Sequence, residues 1–276
     1  MVKKVEDRVA VEGKEVITLT WGDMAENGVG MQQLGELRAE GGGFTVADLE
    51  KIAEKFDDAA EMYSLNDPAN EEQAEAAVLV IRDGVDLLGS FEEGSENGAV
   101  EKKTHDMMFA EQKQVQYDKK ALMRGQVKNK KARWNMCIDD QAQEADYAAG
   151  KGTIVKKDDL PVTMSVVNQF EKAFGQKAAE LKGEGNYYYN IDDCGIGFHG
   201  DAERRIVIAI RLGASLPIYY QWYQNSKPVG ERIEVPLNGG DIYLMSEKAV
   251  GTDWRKRKIM TLRHATGSKQ YVTVKK

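Results

Sequence analysis

The chain has 276 residues, of which 42% are hydrophobic and 30% charged, and its formal net charge is −7. This composition is typical of a folded globular protein. No apolar run approaches the roughly 18 to 20 residues that cross a bilayer, and the amino terminus lacks the apolar core of a signal peptide. The two cysteines, Cys137 and Cys194, are too few for a disulfide framework and favour a reducing compartment. The sequence therefore predicts a cytoplasmic protein that does not enter a membrane.

Charge is distributed unevenly along the chain. Residues 1–100 carry 23 acidic and 8 basic side chains, whereas the rest of the chain carries 22 acidic and 30 basic ones. This asymmetry indicates two units with different partners. We predict an acidic, mixed α/β region over residues 1–100, which could bind a protein partner, and a basic domain over residues 104–276. The plainer interpretation of the acidic half is a solvated surface.

The amino-terminal region begins with a strand and a helix. The segment EVITLTWG (15–22) alternates as a strand does. The segment from Phe44 to Tyr63 predicts a helix, with Thr45 as its N-cap and Asp48 in the first turn. Its apolar residues recur at helical spacing and are expected to face the core: Leu49, Ile52, Phe56 and Tyr63.

Two further segments complete this region. AVLVIRDGVDLL (77–88) is short and apolar, and its periodicity fits a strand or a helix equally well. GSFEEGSENGAVEKK (89–103) is rich in Gly, Ser and Glu, which is typical of a linker or a mobile loop.

The next segment is strongly basic. KKALMRGQVKNKKARWN (119–135) contains seven Lys or Arg residues, no acidic residue and one tryptophan. Such a stretch suits a phosphate backbone with an aromatic platform beside it. An ordinary basic surface has the same composition, so the stretch carries little weight alone.

The remainder predicts one helix followed by strands. The helix extends from residue 158 to residue 183 and has Pro161 in its first turn. Short strand-like segments separated by Gly, Pro and Asn follow, which indicates a β-sandwich, jelly roll or barrel. These segments are RRIVIAIRLG, IYYQWYQ, ERIEVPL, GDIYLM and KIMTLRH.

The triplet His199-Gly200-Asp201 is the clearest candidate for chemistry. On a strand, residues two apart point to the same face, so His199 and Asp201 can bind a single ion. An imidazole and a carboxylate are two thirds of the facial triad of non-haem Fe(II) oxygenases. Further along, Arg257 and Arg263 are six residues apart on a predicted strand, so their guanidinium groups share a face and could bind a carboxylate.

Five motifs occur along the chain in this order: Asn186-x-Tyr188, GIGFHGDAE, RLG, Gly240-Asp241 and Arg257-x5-Arg263. Together they resemble the AlkB-like branch of the Fe(II)/2-oxoglutarate-dependent dioxygenases. The resemblance covers about residues 120–272 and leaves residues 1–100 unexplained. It implies an α+β fold with a double-stranded β-helix (jelly-roll) core and flanking helices, plus a smaller, partly helical amino-terminal region.

The resemblance also implies roles for individual residues. His199 and Asp201 would bind iron, and Glu203 would lie at the pocket mouth, where the family reads its substrate. The residues that would hold 2-oxoglutarate are Asn186, Tyr188, Arg257 and Arg263.

The sequence departs from the family at the third metal ligand. The family has a second histidine shortly after the Gly-Asp strand, where this chain has only Asp253, Trp254 or Arg255, depending on the alignment. Of these only Asp253 can ligate a metal, and we predict it as the third ligand. His264 is the other candidate and ranks lower, because it follows Arg263 directly and would face away from the co-substrate.

The implied function is oxidation of a nucleic-acid base, by hydroxylation or demethylation, with Fe(II), 2-oxoglutarate and O2. The basic carboxyl-terminal half favours a nucleic-acid partner, single-stranded or duplex, and enzymes of this kind take the base out of the stack. The alternative is a non-catalytic jelly-roll module with a degenerate metal site that binds nucleic acid or protein.

Overall fold

The computed structural model describes residues 12–28, 30–67, 70–89 and 103–274. This part of the chain is an α+β structure dominated by antiparallel strands. The strands are β1 Val16–Gly22, β2 Met24–Glu26, β3 Gln33–Gly35, β4 Ala60–Ser64, β5 Ala77–Ile81, β6 Lys120–Met123, β7 Gln126–Asn129, β8 Trp134–Asp139, β9 Ile154–Lys156, β10 Lys182–Tyr188, β11 Gly195–His199, β12 Ile208–Gly213, β13 Ile218–Gln224, β14 Lys227–Val235, β15 Ile242–Met245 and β16 Thr261–Gly267. The α-helices are α1 Val46–Ala53, α2 Gly84–Leu88, α3 Thr104–Gln114, α4 Pro161–Val167, α5 Phe170–Phe174, α6 Glu247–Val250 and α7 Lys269–Val272.

Two sheets form the centre of the structure. The larger sheet has eight strands in the order β4-β5-β15-β12-β1-β10-β8-β9, and the smaller has four in the order β11-β16-β13-β14. Every pairing in them is antiparallel except that of β8 with β9. β2 with β3 and β6 with β7 form separate two-stranded hairpins.

The two faces of the larger sheet have different neighbours. One face packs against helices α1 to α5 in an apolar core that includes Leu19, Ile210 and Phe170. The opposite face packs against the smaller sheet through residues such as Tyr243 and Leu262. Because β1 is covered on both faces, Val16, Ile17, Leu19 and Trp21 are all completely buried.

The predicted division near residue 100 does not coincide with a division of the sheet. β1 lies at its centre, paired with β10 on one side and β12 on the other. β5 pairs with β15 at the same sheet. Residues from both predicted regions therefore share one sheet and one core, an arrangement that local charge cannot reveal.

The predicted helix from Phe44 to Tyr63 is shorter in the structure. α1 ends at Ala53, and Tyr63 belongs to β4. The predicted start is confirmed, since Thr45 is the N-cap and exchanges hydrogen bonds with Asp48. The predicted helix was too long because Tyr63, which belongs to the edge strand β4, happens to continue the helical spacing of apolar residues.

Other elements of the structure differ from the predicted ones in type or length. The segment 77–88 is both a strand, β5, and a helix, α2. The helix predicted over 158–183 divides into α4 and α5, and the strands after it are confirmed. Most of the predicted linker, residues 90–102, lies outside the described residues. No helix in the described ranges is long and apolar enough to cross a membrane.

The N-cap of α1 gives a prediction about stability in acid. Partial burial opposes ionisation of Asp48, but hydrogen bonds from Lys177 and Thr45 outweigh it and lower the pKa to about 2. Its stabilising contribution is therefore complete above pH 4 and is lost as the pH falls towards 2. Because the side chain is about a third exposed, we expect Asp48→Asn to cost only about 1 kcal/mol at pH 7.

Denaturant unfolding between pH 2 and pH 7 measures this difference. The wild-type and Asp48→Asn curves should converge near pH 2, while Glu50→Gln on the exposed side of α1 should follow the wild type throughout. A deficit for Asp48→Asn that persists unchanged at pH 2 would show that the carboxylate charge is not responsible.

Candidate functional site

A cavity of about 760 Å³ lies between the two sheets. The larger sheet contributes Thr18, Asn186, Tyr188 and Arg211 to its wall, and the β2–β3 hairpin contributes residues at one side. The smaller sheet contributes Ile196, His199, His264 and Thr266. The cavity is thus lined by the strands that carry the sequence motifs, together with β1 from the amino-terminal region.

Three potential metal ligands meet in this cavity. The ligating atoms of His199, Asp201 and His264 all lie within 4.8 Å of one another. Asp201 Oδ1 is 3.4 Å from His199 Nε2 and 3.6 Å from His264 Nε2. Two imidazoles and a carboxylate on one side of a cavity match the facial donor set that non-haem Fe(II) sites use.

A bulge in β11 brings the two histidines together. His199 pairs with His264, and Ile196 pairs with Thr266. Between these two pairs β11 advances by three residues and β16 by two, so β11 contains one extra residue. The extra residue turns His199 to the same face as Ile196, which also lines the cavity. As a result the two rings lie 4.5 Å apart, edge to face.

Backbone contacts fix the His199 ring and the loop after it. His199 Nδ1 lies 2.9 Å from the Gly197 carbonyl and 3.1 Å from that of His264. Carbonyl oxygens only accept, so Nδ1 carries the proton and Nε2 is free to ligate. At Gly200 a side chain is excluded, because a Cβ would lie 2.1 Å from the Gly251 carbonyl oxygen.

Asp201 is held as a carboxylate. Burial opposes its charge, but Arg204 and the two histidines outweigh that effect and hold its pKa well below the usual range. Arg204 Nε lies 3.7 Å from Oδ2, whereas the histidines face Oδ1. Arg204 is itself buried and pairs with Glu184 on β10. Through Glu184 and Arg204, the larger sheet thus orients the carboxylate of Asp201, which lies just after β11 of the smaller sheet.

Glu203 also lies on the wall of this cavity. Its burial and the nearby charge of Asp201 raise its pKa to about 7. Arg204 donates a hydrogen bond to it at 3.2 Å. Glu203 therefore shares the cavity with His199, Asp201 and His264. It is held by Arg204, the same arginine that orients Asp201.

Asn186 and Tyr188 line the cavity too, but they differ in what they can bind. The Asn186 amide is engaged, accepting from Arg133 and Asn135 and donating to Glu184. Tyr188 is almost completely buried, which raises its pKa, and the charges of Arg133 and Arg211 oppose that rise. Of the pair, only Tyr188 has a side chain available to a ligand beside the two arginines.

Sequence reasoning missed Arg211, which is completely buried on β12. Its Nη1 donates to Thr18 Oγ1 at 2.8 Å, while Nε and Nη2 have no hydrogen-bond partner in the described part of the chain. It forms no ion pair with any acidic side chain of the described residues. A buried cation without an anion is costly, so this part of the cavity favours an anionic ligand. The available signal was an arginine within the otherwise apolar strand IVIAIRLG.

Three predicted site residues are not in the cavity. Asp253 instead pairs with Lys248 at 2.7 Å. Arg257 is exposed in the loop before β16, and Arg263 stacks on Tyr223 with 4.0 Å between its guanidinium carbon and the ring centre. Arg263 and His264 are adjacent on β16 and point to opposite faces, and His264 was the one expected to face away from the co-substrate. The cavity, however, lies on the side of His264, which replaces Asp253 in the cluster.

The fold and the cluster together define an α+β protein with a His–Asp–His cluster between two largely antiparallel sheets. No protein-family model matches the chain. The chain is 46% identical over 268 residues to the uncharacterized protein R156 of Acanthamoeba polyphaga mimivirus, an alignment that covers 95% of this chain and 99% of that protein. The chain therefore belongs to the same family as that mimivirus protein.

Proposed function

We propose that the protein is an AlkB-like, Fe(II)/2-oxoglutarate-dependent dioxygenase that oxidises a nucleic-acid base. The observation that carries this proposal is the His199–Asp201–His264 cluster, which shares one cavity with Arg211, a buried cation that lacks an anion. Neither feature alone indicates this chemistry. Their combination supplies one site for a divalent metal and another for an anionic co-substrate.

The donor set fits the proposed metal. Imidazole and carboxylate suit Fe(II), and three ligands on one side leave positions open for co-substrate and O2. When bound, the iron would use O2 to convert 2-oxoglutarate to succinate and CO2, placing the second oxygen atom in a substrate C–H bond. If that carbon is an N-methyl group, the hydroxymethyl product releases formaldehyde, which completes demethylation.

The co-substrate would be held by Arg211 and Tyr188. The free nitrogens of Arg211 offer a guanidinium fork for a carboxylate, and Tyr188 borders the same cavity. Arg211 takes the role that sequence reasoning gave to Arg257 and Arg263. Glu203, two residues beyond Asp201, would contact the base.

The strand order supports a jelly-roll core. From β10 to β16 the chain alternates between the sheets except at the β13–β14 hairpin. With β1 between β10 and β12, these strands make two facing layers of four, as an eight-stranded jelly roll requires. One layer is β10-β1-β12-β15 and the other is β11-β16-β13-β14. In this proposal the amino-terminal region supplies the eighth strand, β1.

A basic and aromatic surface around β6, β7 and the start of β8 supports nucleic acid as the substrate. The basic stretch forms the β6–β7 hairpin and leads into β8. Lys119 lies 4.2 Å above the Trp134 ring, which stacks on Tyr189 at 4.3 Å. Cations beside a stacked aromatic pair are the features that bind single strands.

Charge removal from the β6–β7 hairpin should weaken nucleic-acid binding. We expect Lys120→Gln/Lys128→Gln to lose about tenfold in affinity for a single-stranded oligonucleotide at low salt, and to show a shallower salt dependence. Fluorescence anisotropy of the full chain measures both, because a carboxyl-terminal fragment would lack β1. Lys51→Gln/Lys55→Gln on the far side of the sheet is the control. Equal loss in both double variants would contradict a specific surface.

Turnover tests the proposal itself. With Fe(II), ascorbate and O2, the wild type should form succinate from 2-oxoglutarate even without a prime substrate, and His199→Ala should not. If the wild type forms none but binds nucleic acid in a salt-dependent way, the protein is the non-catalytic module instead.

A further inference from the structure

Arg133 is a second arginine in the cavity that lacks an acidic partner. It precedes β8 and lines the cavity wall. Its Nε donates to Asn186 Oδ1 at 2.7 Å, but among the described residues it forms no ion pair. Alternation along β8 explains its direction, since Asn135, two residues further, also reaches Asn186. The guanidinium group of Arg133 therefore lies at the cavity wall with no acidic side chain of the described residues to neutralise it.

Hydrogen bonds fix this arginine before any ligand binds. Asn186 is itself held on the opposite side, where its Nδ2 donates to Glu184 at 2.9 Å. Because Arg133 makes a hydrogen bond to the described residues only through Nε, both terminal nitrogens are left for a ligand. A guanidinium fork held in this way suits the paired oxygens of a phosphate group.

The position of Arg133 separates it from the proposed co-substrate. Arg211 lies on β12 and Arg133 immediately before β8, and β1 and β10 separate these two strands in the larger sheet. At about 4.8 Å from strand to strand, β12 and β8 are about 14 Å apart. Arg211 is completely buried, whereas Arg133 is partly exposed. A small diacid at Arg211 would therefore leave Arg133 open to a second ligand that enters from solvent.

The surroundings of Arg133 indicate which anion it meets. Arg133 belongs to the basic stretch 119–135, which contains seven Lys or Arg residues and no acidic residue. The next residue, Trp134, points to the opposite face of the sheet, where it contacts Tyr187 and Tyr189. A nucleic-acid strand bound along the basic stretch would therefore bring its phosphates to the cavity at Arg133.

We propose that Arg133 is a phosphate-binding subsite of the cavity, distinct from the co-substrate site, and that it holds a backbone phosphate next to the reacting nucleotide. This inference rests on the proposed function for the meaning of the cavity. It adds that the substrate is selected by a charged phosphate at the mouth as well as by its base.

The test compares two probes that differ only in charge: a thymidine trinucleotide and its analogue with uncharged methylphosphonate linkages. The protein is loaded anaerobically with Mn(II) and 2-oxoglutarate, and affinities are measured by calorimetry. The variants are Arg133→Gln and Arg133→Lys. The matched control is Lys131→Gln, which removes an exposed positive charge two residues away.

We expect the wild type to prefer the phosphodiester by about tenfold or more. Arg133→Gln should remove that preference and leave binding of the neutral analogue and of 2-oxoglutarate unchanged, whereas Arg133→Lys should restore part of it. Lys131→Gln should keep it. Thermal unfolding of each variant checks that the fold is intact.

Two results would overturn the inference. If Arg133→Gln behaves like Lys131→Gln, the arginine is only a structural anchor. If it instead weakens 2-oxoglutarate binding as much as loss of Arg211 does, Arg133 belongs to the co-substrate site. Failure of the proposed function is separate, because the wild type would then bind neither Mn(II) nor 2-oxoglutarate, while the trinucleotide comparison can still be made on the unloaded protein.

Discussion

Replacing His264 with alanine should weaken binding of a divalent metal by about a hundredfold or more, whereas Asp253→Ala should bind it as the wild type does. His264 supplies one of only three ligating side chains in the cluster. Loss of a residue that merely supports a ligand costs 10- to 100-fold in metal affinity, and loss of a ligand should cost at least as much. Asp253 is engaged by Lys248 and contributes nothing to the cluster.

Anaerobic equilibrium dialysis with Fe(II), or calorimetry with Mn(II), measures this difference. Loss of His199 or Asp201 should have the same consequence as loss of His264, and thermal unfolding of the metal-free variants shows whether the fold has survived. If Asp253→Ala loses the metal while His264→Ala retains it, the loop rearranges on binding and the cluster described here is not the metal site.

Replacing Arg211 with methionine should weaken 2-oxoglutarate binding by about a hundredfold, whereas Arg263→Met should leave it within about threefold of the wild type. Arg211 is buried, and two of its nitrogens have no partner within the described ranges, so a carboxylate there gains two charge-assisted hydrogen bonds. Arg263 lies over Tyr223 and Trp254 on the outer face of the smaller sheet.

Stability provides an independent reading of Arg211. A buried charge without a partner destabilises the ligand-free protein, so Arg211→Met should have a Tm at least as high as that of the wild type. Added 2-oxoglutarate should then raise the Tm of the metal-loaded wild type but not of the variant. A lower Tm for the ligand-free variant, with ligand stabilisation intact, would indicate that Arg211 is structural.

The strands were predictable from the sequence because each is encoded locally. β1 and the strands from β12 onwards have apolar residues at strand spacing and are bounded by Gly, Pro or Asn, and all are present. His199 and Asp201 were recognised for a similar reason, since their spacing and their glycine lie within one short motif. Asn186 and Tyr188 also reached the cavity.

The rest of the site depends on pairings between distant segments. His264 faces the cavity because it pairs with His199 across a β-bulge, and nothing near residue 264 encodes that bulge. Arg211 lines the cavity next to Thr18 of β1, a strand nearly 200 residues earlier in the chain. Arg257 and Arg263 had suitable spacing, but spacing alone cannot indicate which face of a sheet encloses the cavity.

The amino-terminal region shows the same limit. Its acidic composition suggested a separate unit, yet β1 pairs on both sides within the larger sheet, and most of its residues are buried. Charge reports on surface residues, and the surface residues of this region are indeed acidic. The residues of β1 and β5 that join it to the rest of the sheet are uncharged, so net charge does not register them. Two charged residues, Asp23 and Arg82, are also buried in this region.

A crystal structure of the protein grown anaerobically with Mn(II) and 2-oxoglutarate tests the central claim most directly. An anomalous difference map should show one metal within roughly 2.0 to 2.3 Å of His199 Nε2, Asp201 Oδ1 and His264 Nε2. The far carboxylate of 2-oxoglutarate should lie on the Arg211 guanidinium. A metal at Asp253, a diacid held by Arg257 or Arg263, or a cavity that takes up neither ligand would contradict the proposed site.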